Sequence, residues 1–218
     1  MIETIIPSDR RSAVYDFWRT DKVLKDRCQF IAGQYQRYVD NPTVENYFMS
    51  LVTDYILEGL YFYNGFIAFY NFASRMLMPG SADIFKMINR DELSHVRLFQ
   101  KLLPEAMAIF PHSKDAIYDM MDTAVRHECK WTNHIVGNNI LGITEHSTEQ
   151  YTKYLANIRL KAIGLKPLYP EPRYQKSPYT HLERFSDTKA EGHTKANFFE
   201  AQVTSYVMSS GVGGWDEI

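Results

Sequence analysis

Residues 55–77 read YILEGLYFYNGFIAFYNFASRML, and residues 86–103 read KMINRDELSHVRLFQKLL. Glu58 sits inside the first stretch, an apolar and aromatic run with no Gly-Pro break on either side. Apolar residues on nearly every face, from Thr43 to about Leu77, predict a buried central helix. Gly59 and Gly65 each weaken helix propensity by ~1 kcal/mol relative to alanine. They are expected to allow close helix packing or a local distortion rather than to end the helix. In the second stretch Glu92 and His95 stand three apart, one above the other on one helix face. Both can therefore point at one atom. Ile88 and Asp91 lie a turn before them, and Phe62 and Phe66 are expected to continue the face of Glu58 at i+4 and i+8.

A carboxylate in an apolar helix face is costly unless something pairs or coordinates it. Spacing alone allows two readings. Either Glu58 is an edge residue and Glu92 and His95 form a solvated turn, or the three side chains share a metal ion. A carboxylate on one helix and a Glu-x-x-His pair on another make half of the dimetal site of a ferritin-like bundle. The full set takes one Glu from each of two helices and a Glu-x-x-His pair from each of two others.

Around these stretches the chain reads as helices. A loop through Pro7-Ser8-Asp9 leads to one or two striped helices from Ser12 to about Val39, and Asp40-Asn41-Pro42-Thr43 stops and restarts the chain. Met78-Pro79-Gly80-Ser81 reads as a turn with Ser81 as N-cap, and the Glu92 helix is expected to end near Leu103, before Pro104. Helices are predicted from Lys114 to about Gly137 and from Ser147 to Gly164. Proline density after Leu165 excludes regular helix. The division expected is a helical bundle over 1–168 and, over 169–218, an irregular segment with a flexible tail.

Composition sets limits. Among 218 residues 45% are apolar and the net charge is −2, which suits one globular domain and excludes a general electrostatic role on nucleic acid. Cys28 and Cys129 are far apart, outside any C-x-x-C pair, which fits a reducing compartment and offers no thiolate metal site. Glu58, Asn64 and Asn71 interrupt the longest apolar run, so no membrane span is expected. With no signal pattern at the N-terminus, the expected location is cytoplasmic. His127-Glu128 begins a zinc-protease pattern, but position 131 is Trp and the pattern fails.

LEGLYFYNGF followed by LMPGSADIFKMINRDELSHV resembles the small, radical-generating subunit of class I ribonucleotide reductase. The downstream blocks RHECKWTNHIVGNNILGIT and QYTKYLANIRLKAIGLKPLYP continue the likeness in the family's order. It covers the chain from about Phe17 onward, but only the family's C-terminal half or so. The resemblance implies an all-α, ferritin-like bundle with Glu58, Glu92 and His95 as ligands of a dinuclear centre, iron first and manganese or a mixed pair as alternatives. It implies Phe62, Phe66 and Ile88 as the apolar shield of that centre, and Asp91 as a proton-coupled relay. In the tail it implies Glu200 as a functional acid, Tyr206 as the radical's exit point, and the final Trp215-Asp216-Glu217-Ile218 as a peptide that docks on the large subunit.

One departure stands out. Glu92–His95 is the only Glu-x-x-His or Asp-x-x-His pair in the chain, and no His precedes the Thr43 helix. The expectation is thus part of a split or truncated small subunit. It would be inactive alone, completed by an N-terminal polypeptide, a homodimer once assembled, and a partner of the large subunit in deoxyribonucleotide synthesis. The rival readings are an inert fragment that docks on the large subunit, and a ferritin-like dimetal oxidase that exports no radical.

Overall fold

A computed structural model of the chain describes residues 3, 6–109 and 113–185. The α-helices among them are, in order, α1 (Ser8–Tyr15), the single-turn α2 (Phe17–Thr20), α3 (Lys22–Asp40), α4 (Val44–Ile56), α5 (Tyr63–Ser74), α6 (Pro79–Ile109), α7 (Ser113–Ile135) and α8 (Glu145–Ala162). A π-helical turn, Leu57–Tyr61, joins α4 to α5. Two 3₁₀ turns, Pro172–Gln175 and Thr180–Phe185, come after α8. No strand occurs among the described residues. The architecture is an all-α, ferritin-like helical bundle.

The caps explain most boundaries. The Asp21 side chain accepts from Leu24 N at 2.8 Å and starts α3, so the stripe expected from Ser12 to Val39 is three helices rather than one or two. Thr43 accepts from Asn46 N and starts α4. Thr144 and Ser147 cap α8 reciprocally, and Gly164, at φ +80°, turns the chain away after it.

Helix α6 departs from expectation at both ends. It begins at Pro79, not after a Ser81 cap, because proline at the first position of a helix loses no intrahelical hydrogen bond. The preceding turn is made instead by Met76 and Met78 at φ 60° and 49°. The helix also runs through Pro104 to Ile109. Pro104 faces outward while its neighbours Leu103 and Met107 are buried. Packing on that inner face outweighs the hydrogen bond that proline cannot make.

The central element is α4–π–α5. Phe48, Val52, Tyr55, Ile56, Leu60, Tyr63, Phe66 and Tyr70 are all buried along it. Helix α3 packs on α4 and α7, α6 on α4 and α5, and α8 on α7. The π turn touches α6, α7 and α8 at once. A π turn takes more residues than the 3.6 of an α turn, so it shifts the register of the helix beyond it. Phe62 and Phe66 therefore do not extend the face of Glu58 in step: Phe62 is exposed and Phe66 is buried.

Two arginines from distant helices hold the turn. Arg159 Nε of α8 donates to Gly59 O at 3.0 Å, and Arg27 Nη2 of α3 donates to Tyr61 O at 2.6 Å. Tyr55 Oη returns the link by donating to Arg159 O at 2.8 Å. Beyond the division expected at 168, residues 169–182 pack on the bundle. Asn157 Nδ2 donates to Tyr169 O, and Tyr174, Tyr179 and Leu182 are buried. The tail containing Glu200, Tyr206 and Trp215–Ile218 lies outside the described residues.

Two glycines of the central element should behave oppositely. A Cβ on Gly59 would meet Arg159 Nε at 3.1 Å and Cδ at 3.3 Å, whereas one on Gly65 meets nothing within 4 Å. Gly59→Ala is expected to destabilise the chain by about 1 kcal/mol or more through overpacking. Gly65→Ala should stabilise it by up to about 1 kcal/mol through helix propensity. Urea unfolding of both variants measures the difference.

Candidate metal centre

Glu58 emerges from the π turn, and Glu92 and His95 emerge from α6 opposite it. His95 Nδ1 lies 3.1 Å from Glu58 Oε2 and 3.0 Å from Glu92 Oε2. One ligand atom from each residue falls within 4.8 Å of the others. Oxygen and nitrogen ligands sit roughly 2.0–2.3 Å from first-row divalent ions, so one ion fits between three atoms spaced this way. Two carboxylates and an imidazole form a donor set suited to iron, manganese or zinc. The fold brings these three side chains together, and no other such group of His, Cys, Asp and Glu occurs among the described residues.

Electrostatics at the group follow from crowding. The Glu92 carboxyl is pushed up to about 7, first by burial and then by its contact with Glu58; His95 opposes the shift. His95 is raised by its contacts with Glu58 and Glu92. One turn before Glu58, Asp54 is raised by burial and by the charge of Glu58, although the Tyr35 hydroxyl donates to it and opposes the rise. Sequence reasoning missed Asp54. Its spacing of four from Glu58 was the available signal.

The other expected residues are placed unequally. Phe66 is buried and packs on Phe85 at 6.2 Å between ring centroids. Phe62 and Ile88 stand at 36% and 38% exposure, so two of the three expected shielding residues face outward. Asp91 is exposed, with its carboxylate 4.0 Å from Arg90 Nε. Ile84, Ile88, Leu98 and Leu102 are also exposed. With Asp91 and His95 they share one face of α6, because their spacings follow the helical period. Helix α6 thus has two apolar faces, one in the core and one uncovered around the ligand group.

Behind the π turn lies a buried ion pair that sequence reasoning also missed. Glu128 is 1% exposed and accepts from Arg27 Nε at 3.0 Å and from Asn64 Nδ2 at 3.2 Å. The Arg27 guanidinium covers the Tyr61 ring at 4.1 Å. His127 packs edge-on against Phe30, and His134 Nε2 lies 2.7 Å from Asp21 Oδ2, so neither joins a metal group.

Residues 1–178 match the family model of the ribonucleotide reductase small chain. The chain belongs to the ribonucleotide reductase small-chain family. It is 33% identical over 223 aligned positions to the ribonucleoside-diphosphate reductase subunit beta of Halalkalibacterium halodurans, covering 100% of this chain and 63% of that protein. A putative class I ribonucleotide reductase from Bacillus halodurans superposes with TM-score 0.79 at 33% identity, over 85% of this chain and 67% of that one. The ribonucleotide reductase R2 subunit of Clostridium botulinum superposes with TM-score 0.78 at 40% identity, over 84% and 59%. The chain therefore spans under two thirds of the length of the curated relatives it matches. No described helix is long and apolar enough to cross a membrane.

The raised groups set a pH dependence for the metal-free chain. A group whose pKa is higher folded than unfolded stabilises the fold at low pH, and that contribution is lost as pH rises through the folded value. For Glu92 it is complete below about pH 4.5 and gone above about pH 7; His95 has the same sign. Metal-free protein should accordingly lose stability from about pH 4.5 to about pH 7. Glu92→Gln should flatten that slope in urea unfolding at a series of pH values.

Proposed function

We propose that this chain forms part of the radical-generating small subunit of ribonucleoside-diphosphate reductase, with Glu58, Glu92 and His95 as half the ligands of a dinuclear metal centre. The convergence of those three side chains within 4.8 Å carries the proposal. Iron is the first choice of metal, with manganese or a mixed pair as alternatives. When bound, such a centre supplies one-electron oxidising power for nucleotide reduction.

The chain's own residues then have separate tasks. Glu58 and Glu92 balance cationic charge, and His95 adds a neutral nitrogen ligand. Phe66, with Phe62 and Ile88 once covered, excludes water from the ligand group. Asp91 stands on the same α6 face as His95 and holds the proton that accompanies an electron leaving the site. Tyr206, six residues after the acid Glu200 in the sequence, passes the electron and its phenolic proton onward, and Trp215 and Ile218 anchor the tail in the large subunit. The remaining ligands come from a complementary N-terminal small-subunit polypeptide. Its helices cover the apolar face of α6 around His95, and the assembled unit pairs as a homodimer in the cytoplasm.

Metal titration tests the core of this reading. The chain alone should bind at most one Fe(II) or Mn(II) weakly, and about two tightly once the complement is added, because a bridged pair needs ligands from both parts. Glu92→Ala and His95→Ala should each abolish that gain, measured by anaerobic calorimetry and metal analysis. Affinity should rise with pH through about 7, since ligands bind deprotonated. Unchanged metal binding in Glu92→Ala would remove the site. Tight binding of two metals by the chain alone would remove the need for a complement.

The tail has its own test. Tyr206→Phe should dock on the large subunit as tightly as wild type while the assembled enzyme loses nucleotide reduction. Full turnover would remove the relay role, and loss of docking would make Tyr206 an anchor. A reconstituted unit that docks without turnover in its wild-type form would be the inert fragment.

A further inference from the structure

A cavity of about 370 Å³ lies between α5, α6 and α8, bordered by Ser177, Tyr179 and Leu182. That is within the range of small-molecule sites, roughly 300–1,000 Å³. Its walls are mostly aromatic and aliphatic, and Tyr151 and Tyr179 meet edge to face at 5.3 Å within them. Phe66 is shared between its wall and the surroundings of the metal group, but Glu58, Glu92 and His95 do not line it.

Three of the side chains lining it bring polar groups that the fold leaves underused, and all are more than nine-tenths buried: Tyr63 at 5%, Asn89 at 3% and Arg159 at 7% exposure. Tyr63 Oη and Asn89 Oδ1 have no hydrogen-bond partner among the described residues. The Asn89 amide nitrogen is already used, donating to Tyr70 Oη at 3.0 Å. Arg159 spends its Nε on Gly59 O and lays its guanidinium 4.9 Å from the Tyr63 ring centroid. No described carboxylate pairs with it, although a buried guanidinium is costly without an anion. Burial raises the Tyr63 phenol, helped by the charges of Glu92 and Glu58 and opposed by the charge and side-chain contact of Arg159, so its hydroxyl stays protonated and can donate.

We propose that this cavity binds a small aromatic carboxylate bearing a hydroxyl at its far end. The carboxylate accepts from the free N–H groups of Arg159 and from the Tyr63 hydroxyl. The planar body lies among the tyrosine rings, which favour offset or edge-on aromatic contacts. The distal hydroxyl donates to Asn89 Oδ1. Asn89 is marked by its contact with Tyr70, seven residues along α5 from Tyr63, and seven helical residues span roughly 10 Å. That is close to the reach of a hydroxyphenylpropionate from carboxylate to phenol.

The test uses the full chain with para-hydroxyphenylpropionate as the probe, followed by calorimetry and ligand-observed NMR. Saturable binding is expected. Phenylpropionate, which lacks the hydroxyl, should bind about tenfold more weakly, the loss of one buried hydrogen bond. An analogue with the carboxylate reduced to an alcohol should not bind measurably. Asn89→Leu should erase the advantage of the hydroxyl while leaving phenylpropionate unchanged, and Ile158→Trp, which fills the cavity, should abolish binding of both. Circular dichroism establishes that each variant is folded; if one is not, the ligand series on wild type decides alone. No saturable binding by wild type at millimolar probe, indifference to the carboxylate, or full binding in folded Ile158→Trp would overturn the proposal.

Discussion

Two hydrogen bonds to one widened helical turn tie the bundle together. A π turn in the middle of a buried helix sets its carbonyls apart from the regular ladder, and a buried carbonyl needs a donor. Here the donors are guanidinium groups from opposite sides: Arg159 to Gly59 O and Arg27 to Tyr61 O. Each arginine has to be brought in by its own helix, so α3 and α8 are positioned by the same turn that positions Glu58. Glu128 in turn balances Arg27 from α7. The group of Glu58, Glu92 and His95 therefore stands at the junction of the fold, where a shift in any of several helices would move it.

Helix α6 stands in a different relation to the site. Its inner face, with Val96, Leu103 and Met107, is ordinary core. Its outer face mixes apolar residues with Asp91 and His95, and the carboxylates beside it are only partly withdrawn from water. Half-burial explains why Glu92 is shifted by desolvation yet is still reached by His95. A surface of this kind is suited to being covered by further helices, because covering it would strengthen every electrostatic interaction at the group.

Much of this was legible in the sequence. Glu58 stood out as the charged group of an apolar run, and Glu92 and His95 were linked by local helical spacing, which survives any tertiary arrangement. The α7 and α8 helices were readable within a few residues because each has one apolar stripe and clear ends. What escaped depended on distance or on period. Glu128 and Arg27 are 101 residues apart, as are Arg159 and Gly59 to within one residue, and nothing local couples them. The π turn escaped because a reading at 3.6 residues per turn has no place for a wider one. Pro79 and Pro104 were read as punctuation, whereas one begins the helix and the other is outweighed by its buried neighbours.

The widened turn also makes the central helix a matter of counting. One residue of α-helix corresponds to about 100° of rotation. Because the π turn absorbs residues without adding a matching rotation, α4 and α5 keep separate phases on a continuous rod. Shortening the chain by one residue at this place would turn the wide turn into an ordinary one and leave Phe66, Tyr70 and the tyrosine-walled cavity facing their partners. The same deletion inside α4 or α5 would swing every residue beyond it by about 100°. Gaps in related chains should therefore gather at residues 57–61.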